Sequence, residues 1–114
     1  MIPVFNERDN LGPLHAKLTQ TLQLLGRSYE ILFIDDGSTD GSNDILRQLA
    51  ETDPHIRLLE FVRNFGQTAA MAAGFEHSQG EFVIPLDADL QNDPEDIPRI
   101  IDALEAGSDV VSCW

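Results

Sequence analysis

Tyr29-Glu-Ile-Leu-Phe-Ile-Asp-Asp-Gly-Ser38 is the stretch that decides the fold. Its apolar core, 31–34, runs unbroken and then stops at two aspartates and a glycine. A strand with one wet face alternates apolar and polar residues. An unbroken run of this length marks a strand over about 29–34 that is covered on both faces, as in a parallel sheet with helices on each side. The Asp35-Asp36-Gly37-Ser38 end reads as a turn into a helix, with Gly37 free to take a positive φ.

The same unit recurs on both sides. Residues 1–5 read as a short first strand. Asp9 or Asn10 then caps a helix with Pro13 in its first turn, and Leu11, Leu14, Leu18, Leu22 and Leu25 share one face before Gly26 ends it. Beyond Ser38, side-chain oxygens of 38–40 cap a second helix with Ile45, Leu46 and Leu49 inward, broken at Asp53-Pro54. Residues 56–62 read as a third strand, 67–78 as an alanine-rich helix suited to close packing, and 81–86 as a fourth strand. Asp93 caps and Pro94 starts a helix to about Ala106, with Ile97, Ile100, Ile101 and Leu104 inward, and 109–114 read as a fifth strand. This alternation predicts an α/β fold: a Rossmann-like, mostly parallel sheet with helices on both faces and right-handed crossovers. Both chain ends are strand-like and open, so residues 1–114 are expected to form one truncated domain of a longer protein.

The chain carries 20 acidic and 7 basic residues, a formal net charge of −13. Such a surface excludes binding to nucleic-acid phosphates and attachment to an anionic membrane by charge alone. With 42% apolar and 24% charged residues the composition is otherwise that of a globular domain. The acids are uneven: 58–114 hold eleven acids and two bases, against nine and five in 1–57. A half this rich in carboxylates is a candidate to hold a cation. The single cysteine, Cys113, cannot form an internal disulfide. No run approaches the ~18 apolar residues of a membrane-spanning helix, and residues 3–9 are too polar for a signal core. The chain is therefore expected to be cytoplasmic.

Several nucleotide-handling folds are excluded by what the motifs lack. No G-x-G-x-x-G follows the first strand, as a dinucleotide site needs. No G-x-x-x-x-G-K-[ST] loop accompanies the acidic strand end, and the only lysine is Lys17. A phospho-acceptor receiver would want a lysine closing the fifth strand, which has none. His15, His55 and His77 show no metal-ligand spacing and read as surface or boundary residues.

Ligands of parallel α/β sheets bind beyond the carboxyl ends of the strands. Three such ends carry acids: Phe5-Asn6-Glu7, Asp35-Asp36 and Asp87-Ala88-Asp89. Asp87 and Asp89, one residue apart, repel unless a cation or proton lies between them; hard oxygen ligands suit Mg²⁺ or Mn²⁺, and Gln91 offers a further oxygen. The other reading of this pair is loop capping. Asp35 or Asp36 can accept from a ribose hydroxyl or a base N–H, or simply cap the turn; Asp40 and Ser42 fit the capping role alone. Glu7 either faces the cleft or complements the helix dipole. Taken together, the converging acids would repel a bare diphosphate, and a divalent cation bridging carboxylates to phosphate oxygens resolves the conflict. The chemistry implied is departure of a nucleoside diphosphate with metal as Lewis acid.

In order and spacing, Ile2-Pro-Val-Phe-Asn-Glu7, Ile34-Asp-Asp-Gly-Ser-Thr-Asp-Gly-Ser42, Arg63-Asn-Phe-Gly-Gln67 with Ala69-Ala-Met-Ala-Ala-Gly74, and Leu86-Asp-Ala-Asp-Leu-Gln91 with Asp93-Pro94 resemble the family 2 glycosyltransferases of GT-A fold. Within them the chain is most similar to the polyprenyl-phosphate glycosyltransferases, the dolichyl-phosphate mannose synthase-like subgroup. The resemblance implies an inverting transfer of a sugar from a UDP- or GDP-sugar to a polyprenyl phosphate. It implies that Pro3, Phe5, Glu7, Ile34, Asp36, Asp87, Ala88 and Asp89 line the nucleotide pocket. It further implies that Asp87, Asp89 and Gln91 hold Mg²⁺ or Mn²⁺, which makes Asp87 and Asp89 the catalytic pair. Residues 63–74 would run beside the cleft. Phe5 stands where relatives often have Tyr, which removes a hydroxyl but leaves a ring to stack. Cys113 stands where relatives commonly have Gly. The basic residues and membrane segments of the family lie beyond Trp114. The parent is thus expected at the cytoplasmic face of the membrane, with oligomerisation left open, and these 114 residues alone are expected to be weakly active or inactive. A saccharide acceptor is the nearer alternative, and a non-enzymatic, receiver-like cation-binding module the more distant one.

Overall fold

The computed structural model describes residues 1–78, 83–86, 88 and 97–105. Three parallel strands, β1 (Ile2–Val4), β2 (Ile31–Asp35) and β3 (Ile56–Glu60), form a sheet in the order β1-β2-β3. The helices are α1 (Arg8–Leu25), α2 (Ser42–Thr52), α3 (Gln67–His77) and α4 (Ile97–Glu105). The expected fifth strand, most of the 87–96 loop and Cys113 lie outside the described residues.

All five residues of β2 are buried, as its apolar run predicts. Strand geometry sends alternate side chains to opposite faces. Ile31 and Phe33 meet the leucines of α1, Leu46 of α2, and Ile97 and Ile101 of α4. Leu32 and Ile34 meet Ala70 of α3 and Met1 on the other side. Helices therefore cover both faces.

The strands are shorter than the apolar runs. β2 starts at Ile31 because pairing begins there: its amide donates to the His55 carbonyl, and Ile31 lies opposite Ile56. β3 ends at Glu60, opposite Asp35, the last residue of its partner.

The start of α1 differs from expectation. Glu7, not Asp9 or Asn10, occupies the N-cap position, and Pro13 falls inside the helix, past the first turn. The caps come from another loop. Ser42 Oγ accepts from the Glu7 amide at 3.1 Å, and Asp40 Oδ2 accepts from the Arg8 amide at 3.2 Å. Asp40 Oδ1 also accepts from the Ser42 amide at 3.0 Å, so one carboxylate serves the starts of both α1 and α2. Gly26 closes α1 in the left-handed conformation, with φ 73°.

The segment 83–86 runs along the free edge of β1. The Met1 nitrogen donates to the Ile84 carbonyl and the Leu86 amide donates to the Met1 carbonyl, each at 3.0 Å, the pattern of a parallel pair. The chain thus builds outward from β1 to β3 with helices on one face. It then crosses by α3 on the other face and returns beside β1. Strand order reverses between β1 and 83–86, and a crevice is expected at the carboxyl ends there.

Candidate functional site

A cavity of about 370 Å³ lies at that reversal. Pro3, Phe5, Glu7, Asp36 and Ala88 all line it, joined by Val4, Asn64, Gly66 and Gln67. Continuing the parallel ladder past Leu86 would call for an N–H from residue 3, which proline lacks.

Phe5, at 45% exposure, presents its ring at the rim. Asn6 follows at φ 53°, a turn that asparagine tolerates. Its Oδ1 accepts from the Thr39 amide at 2.8 Å, and its own amide donates to Ser38 Oγ at 3.0 Å, which locks the β1–α1 loop to the β2–α2 loop. Glu7 lines the cavity from the N-cap of α1, where its Oε2 accepts from Asn10 Nδ2 at 2.8 Å.

The adjacent aspartates divide their duties. Asp35 Oδ1 accepts from the Ser38 amide at 3.0 Å and forms the turn. Asp36 faces the cavity, and its carboxylate accepts from Asn64, Phe65 and Gly66. Gly37, at φ 73°, sits where a Cβ would overlap the backbone of Arg63 and Asn64. The 63–66 loop therefore lies directly on the Asp36-Gly37 turn.

Ile34 is fully buried beneath α3, packed with Met1, Leu32 and Ala70, and is not among the cavity-lining residues. Asp87, Asp89 and Gln91 lie outside the described residues, although Ala88, bonded to both aspartates, is in the cavity wall. Among the described residues no cluster of three His, Cys, Asp or Glu side chains could hold a metal ion. Val4, Asn64, Gly66 and Gln67 line the cavity without an individual assignment in the sequence; for the last three the Arg-Asn-Phe-Gly-Gln motif was the only signal.

A larger cavity, about 470 Å³, lies at the opposite end of the sheet among mostly apolar residues such as Leu18, Leu22, Ile84 and Ile101. It shares no lining residue with the cavity at the strand-order reversal. At that end two histidines that spacing left unrelated meet one carboxylate. His15 Nε2 and His55 Nδ1 each lie 2.9 Å from an oxygen of Asp53, and the His55 ring stacks on Tyr29. Burial pushes the Asp53 carboxyl up, but hydrogen bonds with His15 and with the His55 amide and ring outweigh it and hold it at about 2.

A parallel sheet with helices on both faces and a cleft at its strand-order reversal defines a Rossmann-like α/β protein that takes its ligand at the carboxyl edge. Within that class the chain belongs to the family described as Glycosyl transferase family 2, which matches residues 1–114. It is 47% identical over 113 residues to the undecaprenyl-phosphate 4-deoxy-4-formamido-L-arabinose transferase of Edwardsiella ictaluri (strain 93-146), covering 97% of this chain and 34% of that protein. The protein of the same description from Salmonella paratyphi B is 46% identical over 112 residues, with the same coverage. The chain thus spans about a third of the length of these curated relatives. Among solved structures it is similar to the mannosyltransferase PcManGT from Pyrobaculum calidifontis in complex with GDP-Man and Mn²⁺. The TM-score is 0.70 at 27% identity, over 99% of this chain and 34% of that one. The fold is accordingly that of a GT-A glycosyltransferase.

Proposed function

We propose that this chain is the nucleotide-sugar-binding part of an inverting glycosyltransferase that moves a sugar from a nucleoside diphosphate to a polyprenyl phosphate, of the undecaprenyl kind. The observation that carries the reading is the cavity at the strand-order reversal, lined by Pro3, Phe5, Glu7, Asp36 and Ala88. The names of the 46–47% identical relatives support the lipid-phosphate acceptor. The GDP-Man and Mn²⁺ of the mannosyltransferase structure support the donor class and a divalent metal.

In this reading the Phe5 ring stacks on the base and Asp36 borders the nucleoside. Asp87, Asp89 and Gln91 hold Mg²⁺ or Mn²⁺, for which two carboxylates and an amide oxygen are a suitable hard donor set. The metal, when bound, stabilises charge on the departing diphosphate. Glu7 and Asp36 make the cleft wall acidic, so a diphosphate should enter it only with a cation. A lipid phosphate is already ionised at neutral pH, so the residues here need only position the donor and exclude water. The parent protein works at the cytoplasmic face of the membrane. Among the described residues no helix is long and apolar enough to cross one.

Calorimetry with UDP and GDP, with and without Mn²⁺, tests the proposal on the wild-type chain and on the Asp87→Ala/Asp89→Ala double variant. Binding should require Mn²⁺ and fall at least tenfold in the variant. Metal-independent binding that survives the double substitution would sink the metal assignment, and no binding of either nucleotide would sink the donor assignment.

A further inference from the structure

Asp36 borders the cleft, yet most of its hydrogen-bonding capacity is spent on one loop of the protein. Oδ1 accepts from the Phe65 amide at 2.8 Å. Oδ2 accepts from the Gly66 amide and from Asn64 Nδ2, each at 3.0 Å. Asn64 Nδ2 also donates to the Asp36 carbonyl at 3.2 Å. The residue is 3% exposed. A carboxylate so buried is costly unless its lone pairs are filled, and three N–H donors fill most of them. An ionised carboxylate has about four acceptor positions, so about one is left for a ligand.

The loop held in this way is part of the site. Asn64 and Gly66 line the same cavity, and Gly66 is the N-cap of α3. Next along the chain, Gly37 has no Cβ and so lets the Arg63 and Asn64 backbone settle against the turn. Residues 36 and 37 together form a seat for 63–66, one part bonding and the other making room.

We propose that Asp36 is a positioning residue: paired with Asn64, it fixes the 64–66 loop as one wall of the donor cleft, and it governs nucleotide binding mainly through that loop. This rests on the nucleotide-sugar reading of the cleft. It differs from a role as nucleotide ligand alone, in which the carboxylate matters and the Asn64 side chain does not.

The test uses the full-length protein. Hydrogen exchange without nucleotide reads the loop directly. In Asp36→Asn, protection of the Phe65 and Gly66 amides should fall at least tenfold, while the amides of Leu32 and Phe33 in β2 keep theirs. Calorimetry with UDP and GDP in Mn²⁺ reads the consequence. Asn64→Ala, which leaves the carboxylate in place, should weaken binding about five- to tenfold. Unchanged protection of Phe65 and Gly66 in Asp36→Asn would overturn the proposal. So would wild-type affinity in Asn64→Ala. If the wild-type protein bound neither nucleotide, the donor reading would fall, and the exchange experiment, which uses no ligand, would decide the loop-holding role by itself.

Discussion

Gly37 shows how much one missing methyl can decide. Its φ of 73° disfavours any side chain, and the Arg63 and Asn64 backbone occupies the space where one would point. Gly37→Ala should cost about 2 kcal/mol or more in denaturant unfolding, the left-handed penalty and the displacement of the loop both contributing. The Asp-Asp-Gly motif made the turn legible in sequence, but not the loop pressed against it. Asp53 is the second case at this scale. Its carboxyl is held at about 2, against an ordinary 3.8. Because the folded value is the lower one, Asp53 contributes stability above about pH 4 and loses that contribution as pH falls toward 2. Melting temperatures of wild type and Asp53→Asn should therefore converge between pH 4 and pH 2, with the variant about 1–2 kcal/mol less stable at neutral pH. The Asp53–His55 contact is local, two residues apart, but His15 joins it from 38 residues away, where no local signal reaches.

At the scale of elements, the 3.6-residue spacing of leucines in α1 and the unbroken run in β2 translate directly into buried faces, because both patterns are local. The caps of α1 do not, because Ser42 and Asp40 reach it from the far side of β2. The alanine-rich α3 shows the purpose of its composition in Gly74. A Cβ there would run into the Met1 side chain and come within 3.1 Å of Ile34 Cδ1. Gly74→Leu should lift α3 from the sheet, cost about 2–3 kcal/mol on thermal unfolding, and weaken nucleotide binding by moving Gly66 and Gln67 at the helix start. A variant with unaltered melting temperature and nucleotide affinity would show that α3 tolerates greater separation than its packing implies.

At the scale of the whole molecule, the acidity that sequence composition reports is distributed by the fold. Asp40 and Asp53 serve caps and histidines, Asp35 a turn, and Glu7 and Asp36 the cleft. The chain spans 34% of the length of the transferases it resembles. On the proposed function, residues 1–114 alone should bind UDP or GDP with Mn²⁺ but show less than about a hundredth of the sugar-transfer rate of a chain that also carries the acceptor part. That follows if positioning the acceptor supplies a large part of the barrier reduction. A radiolabelled transfer assay to a short-chain polyprenyl phosphate checks it, and comparable turnover by the two would refute it.

The alternation of strands and helices over the described residues, the faces they bury, and the acids that follow the apolar runs are legible in the sequence. Each of these follows from residue patterns within one element or one turn. Tertiary structure alone decided that 83–86 returns beside β1, so that Glu7, Asp36 and Ala88 share one cavity. It also decided that the Asp36 carboxylate turns to residues 64–66 and that Ile34 lies under α3. These arrangements depend on strand register and on contacts between distant segments, where one residue of shift would send a side chain to the other face of the sheet.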